Sequence, residues 1–219
     1  MRTHVIGLML GAALVTAPVK AAVIEPVGET YTTSRDGGGP FGDAAEIRVK
    51  DEGGDEERIG FLRFDASAAP VPSLPEHVVL NLNPVDTDLG GGPVGDATFE
   101  LFVTTMDFDP DALVVADRGP YLDDATSVGE FSLVNTGQGV PVEFSSYDLT
   151  DFVAANPDAI TLIIRRTAWD GGTYVHGFAS SRHDTVPGPT MTVIPEPATV
   201  MLLGIGAAGL LCRRRSHRV

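Results

Sequence analysis

Asp107, Asp109 and Asp111 alternate as D-x-D-x-D. Alternate carboxylates can converge on Ca2+, which takes about 6–8 oxygen ligands, if the chain loops around it. The glycine and closing Glu of an EF-hand loop are missing, and a strand or open loop would leave all three acids on a solvated face. Asp51, Glu52, Asp55, Glu56 and Glu57 crowd around Gly53-Gly54 and read as a solvated turn between strands. Asp86 and Asp88, ahead of Gly90-Gly91-Gly92, repeat that composition. A different chemistry is offered by Trp169-Asp170-Gly171-Gly172-Thr173-Tyr174, which reads as a hairpin turn carrying the single Trp beside a Tyr. Aromatic faces present apolar area with a polar rim and suit stacking on sugar rings. Trp169, Tyr174, Asp170 and Arg166 are therefore the candidate glycan contacts, the two charged groups reaching hydroxyls. The competing reading folds Trp169 back to cap a core.

Residues able to catalyse are present without a supporting pattern. Ser181, His183 and Asp184 are sequence neighbours, but a Ser-His-Asp triad is a spatial arrangement. Adjacent side chains of an extended segment point to opposite faces, and no nucleophile-elbow glycines flank the serine. His176 and His183 could join an acid on a metal, yet no H-E-x-x-H spacing is present. Acids are too numerous for any pair to be informative. The expectation is a non-enzyme with no catalytic residue, whose one cofactor prospect is a structural Ca2+.

Whatever site exists must be positioned by short elements. The 219 residues include 25 Gly and 16 Pro, and punctuation this frequent argues against a bundle of long helices. Short β-favouring runs near 45–49, 59–64, 77–82, 98–104, 130–134, 141–146, 160–166, 174–179 and 190–194 are separated by Gly/Pro/Asp clusters. An opening strand falls near 23–32, and the one convincing helix near 149–155. Many short strands with regular turns predict an all-β sandwich or barrel. Net charge is −15, from 15 Lys+Arg against 30 Asp+Glu. Residues 23–194 hold 29 of the acids and nine of the basic residues, about −20. Such acidity argues against nucleic acid, which requires a basic footprint. One Cys excludes an internal disulfide framework.

The two ends read as addresses. Arg2 and His4 precede an uncharged apolar run at 5–17, then Pro18 and the small residues Ala21 and Ala22. This is the grammar of a secretory signal peptide over 1–22, with cleavage after Ala21 as first choice and after Ala22 as second. At the other end, residues 198–212 carry no charge and are followed by Arg213, Arg214 and Arg215. Fifteen helical residues rise about 22 Å against a hydrocarbon core of about 30 Å. Snorkelling Arg side chains make up part of the deficit. The positive-inside rule keeps this cluster in the cytoplasm and the preceding domain outside. That agrees with export through the translocon and with membrane attachment through the C-terminal helix.

Pro195-Glu196-Pro197, the apolar stretch and the Arg cluster together resemble the PEP-CTERM sorting tail, over 195–219. The resemblance implies a Gram-negative producer of extracellular polysaccharide and recognition by an exosortase, with cleavage near the Pro-Glu-Pro motif. The middle, 23–194, resembles the DNRLRE domain. The likeness is carried by Tyr31, Phe41-Gly42 and Ala45-Glu46-Ile47-Arg48-Val49, then by Phe61-Leu62-Arg63-Phe64-Asp65. It continues in Tyr147-Asp148-Leu149-Thr150-Asp151-Phe152-Val153, the apolar strand 160–166, Phe178-Ala179-Ser180-Ser181-Arg182 and Pro189-Thr190-Met191-Thr192-Val193. It implies a jelly-roll-like β-sandwich related to carbohydrate-binding modules. The acidic segment 107–124 and the turn at 169–173 depart from the pattern. The expectation is an exported, non-catalytic cell-surface or matrix protein that binds polysaccharide. The alternative is a structural or adhesive envelope protein without a specific sugar site, and a hydrolase or lyase is the third reading.

Overall fold

Where the sequence alternates, the chain forms strands with one apolar face, and those faces share one interior. The computed structural model describes residues 20–35, 38–50, 56–70, 72, 77–87, 96–134, 137–169 and 175–195, with the backbone of Trp169. Ala21–Pro195 forms one compact unit. In chain order its strands are β1 (Ala22–Ile24), β2 (Gly28–Thr33), β3 (Glu46–Val49), β4 (Arg58–Phe64), β5 (Val78–Leu82) and β6 (Pro84–Val85). They continue as β7 (Ala97–Thr104), β8 (Thr126–Leu133), β9 (Val142–Phe144), β10 (Ile160–Trp169), β11 (His176–Ala179) and β12 (Thr190–Val193). Two helices, α1 (Gly119–Asp124) and α2 (Tyr147–Ala155), complete the described elements, with a single 3-10 turn at Val115–Asp117.

The strands make three antiparallel sheets, in the orders β2-β4-β10-β7-β8, β1-β12-β5-β9 and β3-β11-β6. The inner face of the five-stranded sheet carries Tyr31, Leu62, Phe64, Phe99, Leu101, Leu162 and Ile164. It shares a core with Leu80, Met191 and Val193 of the second sheet and Ile47, Val49 and Phe178 of the third. Aromatic contacts cross the gap: Phe99 meets Phe178 edge-on at 5.4 Å, and Phe131 lies 6.1 Å from Phe144. β3 comes close to β4 because Gly60 has no side chain; a Cβ there would stand 2.7 Å from Ile47.

The five-stranded sheet is covered on its other face too. Ile59 and Phe61 of β4 and Ile163 of β10 pack against Phe108 and Leu113, with Tyr121 and Leu122 of α1 beside them. β4 is thus buried on both sides, which explains its nearly continuous apolar run. The covering segment is the acidic stretch between β7 and β8. The loop and short helix at 105–125 can bury this face because Phe108, Leu113, Tyr121 and Leu122 punctuate the acids.

The all-β expectation agrees with this β-rich fold. Most expected strands stand within a residue or two of the observed ones, and the helix at 149–155 is α2, two residues longer at its start. Three readings need correction. The single opening strand is two, β1 and β2, in different sheets, broken at Glu25-Pro26 where proline has no N–H to offer a ladder. The strand expected to begin at residue 130 begins at Thr126, because a bulge at Gly129 (φ 129°) carries the pairing with β7 onward. A hairpin at 169–174 would pair β10 with β11, and these two strands do not pair with each other. β10 pairs with β4 and β7 while β11 pairs with β3 and β6, so the chain changes sheet there.

Among the described residues no helix is long and apolar enough to cross a membrane. The expected signal segment up to residue 19, and the tail from Glu196 with its apolar stretch and Arg213, Arg214 and Arg215, lie outside the described residues.

Candidate functional site

Alternation along β4 decides which way its charged residues point. Arg58, Gly60, Leu62 and Phe64 share the inner face, whereas Ile59, Phe61 and Arg63 share the outer one. Arg63 therefore emerges beside the acidic cover and fastens it. Its Nη1 donates to the Phe108 carbonyl at 2.9 Å and to Asp107 Oδ1, and its guanidinium lies 6.0 Å from the centroid of the Phe108 ring. Tyr121 adds a hydrogen bond from its hydroxyl to the Asp107 carbonyl at 2.8 Å. The Asp107 carboxylate is 76% exposed, so the ion pair alone contributes about 0–1 kcal/mol. The buried Phe108 ring, worth about 1.5–3 kcal/mol, is the stronger attachment.

Two clefts meet at this fastening. One, of about 430 Å³, is lined by Val27, Asp65, Thr105, Asp158 and Thr161 together with Arg63 and Asp107. The other, of about 290 Å³, is lined by Asp109, Pro110 and Tyr121 with the same Arg63 and Asp107. The surface here combines an aromatic ring, an exposed apolar Val27, hydroxyls and several carboxylates around one guanidinium. That is a set of groups able to accept and donate hydrogen bonds to a polyol while packing against its apolar face. Asp65 is held below the usual carboxylate range, first by hydrogen bonding from the Ser67 side chain and then by the Ser67 backbone.

The three alternating aspartates do not converge. Asp107 faces Arg63, and Asp109 Oδ1 accepts the Asp111 N–H at 3.0 Å in a local turn. Among the described residues no group of three or more His, Cys, Asp or Glu side chains could hold a metal. The Ca2+ candidates Asp107, Asp109 and Asp111 are thus not brought together as a group in the described structure.

The expected aromatic site is only partly on view. Trp169 is the last residue of β10 and its backbone pairs with Ala97. Asp170 and Tyr174 lie outside the described residues. Arg166 is not a surface group. It continues the inward row Ile160, Leu162, Ile164, is 2% exposed, and its Nη1 stands 3.0 Å from His176 Nδ1. The period-two spacing of that row was the signal that places Arg166 inside. Next to β10's end, Ala97, Thr98, Ser132, Val134 and Ala168 line an open groove of about 200 Å³.

The other singled-out residues take structural partners. The Ser181 hydroxyl and N–H both donate to Glu29 Oε2, the latter at 2.8 Å. His183 Nδ1 accepts from the Thr185 and Val186 N–H groups at 3.3 and 3.0 Å. Of the acidic run, residues 51–55 lie outside the described residues, and Glu56 and Glu57 are not merely solvated. Glu56 is shared by Arg35 and the buried Lys50. Glu57 pairs with Arg118 of the cover and, at 3.4 Å, with Arg165. The cover is thus tied down at both ends, by Asp107–Arg63 and by Arg118–Glu57. Sequence reading misses these because the partners are 44 and 61 residues apart.

Comparison with known proteins adds one finding. The PEP-CTERM protein-sorting motif matches residues 193–215. The motif implies an exported protein that is anchored transiently in a membrane and processed by an exosortase. It begins on Val193, the last residue of β12, so the sorting signal follows the folded sheet without an intervening linker. Ala22, which would be the first residue left by cleavage after Ala21, is the first residue of β1 and pairs with that same Val193. No curated protein matches the chain.

Proposed function

We propose that this is a non-catalytic polysaccharide-binding protein of the cell surface or extracellular matrix, delivered there by signal peptide and exosortase. Its layers are read as a jelly-roll-like sandwich of the DNRLRE kind. The observation that carries the sugar-binding half is the pair of clefts joined at Arg63. Tyr121, Val27 and unshared carboxylates such as Asp158 give a neutral saccharide both an apolar face and hydrogen-bond acceptors there. Trp169, Asp170 and Tyr174 remain a second stacking surface in this reading, and Arg166 supports their end of β10 from within.

Native affinity electrophoresis of the full chain through gels containing a panel of polysaccharides tests it, run with Ca2+ and with a chelator. Selective retardation that is reduced at least several-fold by Tyr121→Ala supports the Arg63 clefts, and reduction by Trp169→Ala supports the second surface. A folded protein that no glycan retards would overturn the binding reading and leave the structural or adhesive one.

A further inference from the structure

The larger cleft at Arg63 is unbalanced in charge. Its described lining includes three carboxylates, Asp65, Asp107 and Asp158, against the single guanidinium of Arg63. Arg63 pairs with Asp107, and that pair is spent on fastening the cover. Asp65 and Asp158 are left in the cleft without a cation. The exposed Asp65 carboxylate is balanced by dipoles alone, the Ser67 hydroxyl and the Ser67 N–H at 2.9 Å. These hydrogen bonds hold it below the usual carboxylate range, so it stays ionised at neutral pH. The exposed Asp158 side chain takes no hydrogen bond and no ion pair from the described residues. The smaller cleft adds Asp109 and no second cation among its described lining.

This lining is rich in acceptors and poor in donors, and a ligand matches it by bringing the reverse. A hydroxyl both donates and accepts, whereas an ammonium brings three donors, no acceptor and a positive charge. Acetylating the same nitrogen removes the charge and leaves one N–H. A uronate or a sulfate ester would set a further anion beside Asp65 and Asp158, where like charges repel. A second observation, independent of the cleft, points the same way. Residues 23–194 carry about −20, and the field of such a domain draws polycations and turns away polyanions before contact.

We propose that the Arg63 clefts take an amino sugar with its amine free and protonated, the unit of a wholly or partly deacetylated hexosamine polysaccharide, and that Asp65 and Asp158 receive the ammonium. This rests on the polysaccharide-binding proposal and narrows it to one charge class. Arg63 is then a positioning residue and not a receptor for anions. With Tyr121 it fixes the cover that walls the clefts, while the two unpaired carboxylates discriminate among ligands.

Native affinity electrophoresis of the full chain tests it, with gels containing glycol chitosan, the same polymer after N-acetylation, or polygalacturonate. The wild type is retarded by the free-amine polymer at several-fold lower concentration than by the acetylated one, and polygalacturonate does not retard it. Asp65→Asn and Asp158→Asn each shrink that preference several-fold; both side chains are exposed, so neither change disturbs the core. Glu143→Gln makes the same change in net charge at an exposed position on β9, in another sheet, and leaves the preference intact. Equal preferences in the two Asp variants and in Glu143→Gln would mean a general attraction of an acidic protein to a polycation, and would overturn the proposal. So would Tyr121-dependent retardation by neutral glycans with no preference for the amine, or stronger retardation by polygalacturonate. Either of these leaves the polysaccharide-binding proposal standing, whereas a folded protein that no polymer retards overturns both.

Discussion

Thr150 shows how one hydroxyl can hold two elements. It sits in the first turn of α2, 3% exposed, and its Oγ1 accepts the Val78 N–H at the start of β5 at 3.3 Å. The same oxygen donates to the Ser146 carbonyl at 3.0 Å. Valine has nearly the same shape and neither capacity. Thr150→Val strips a buried N–H of its acceptor, which costs about 1–3 kcal/mol. At about 2–4 °C per kcal/mol for a domain of this size, the expected fall in unfolding midpoint is readily measured by calorimetry. The motif containing Thr150 was visible in the sequence, but its partner was not, because Val78 lies 72 residues away. Arg166 teaches the complementary lesson. Its chemistry suggested a ligand contact, while its spacing from Ile160, Leu162 and Ile164 already said interior. Position in the alternation outweighs side-chain type when a strand is buried on both faces.

Among elements, the acidic crossover between β7 and β8 is the least expected and the most consequential. Its acids suggested a solvated loop or a cation site, and its four apolar side chains instead close the outer face of the five-stranded sheet. Phe108→Ala is expected to cost about 3–5 kcal/mol, as for other buried aromatics. Because Arg63 leans on that ring and bonds its carbonyl, the same variant should lose glycan retention at the Arg63 clefts. Proteolysis within residues 105–125 would rise before global unfolding, and equal protection of wild type and variant would refute the covering role. The strands themselves were legible because period-two alternation is a local property. What the sequence could not show was sheet membership. β10 and β11 are consecutive and belong to different sheets, and nothing local in 170–174 distinguishes a sheet change from a hairpin. The Arg63 clefts were hidden for the same reason, since Arg63, Tyr121 and Asp158 meet only through the topology.

At the scale of the molecule, the ion pairs make stability depend on acid. Glu56 is held below its ordinary range first by the hydrogen bond from Lys50 and then by that group's charge. Asp65 is lowered by Ser67. For a carboxyl depressed in the folded state, the unfolded chain binds the proton more readily, so the stabilisation is complete above the unfolded value and disappears as pH falls through the folded one. The unfolding midpoint should therefore be flat from about pH 7 to 5 with respect to these groups and decline below about pH 4. Glu56→Gln should lower the midpoint at pH 7 and flatten part of the acid decline, which a pH series of thermal melts would check. A decline of wild-type steepness in Glu56→Gln would remove Glu56 from that account.

The pairing of β1 with β12 sets a clock for synthesis. Ala22 meets Val193, so the second sheet takes its final shape only once residue 193 has been made. β12 is also the bridge between β1 and β5, which have no ladder with each other until it arrives. Closing so long a loop is slow compared with forming local hairpins. When the last strand emerges, the residues following it are already those of the sorting motif, which begins at residue 193. The fold's last strand and the sorting address overlap only at residue 193, so the strand is complete before the address is. A chain cut before residue 190 lacks both, whereas one cut between 195 and 215 keeps β12 and loses part or all of the rest of the address.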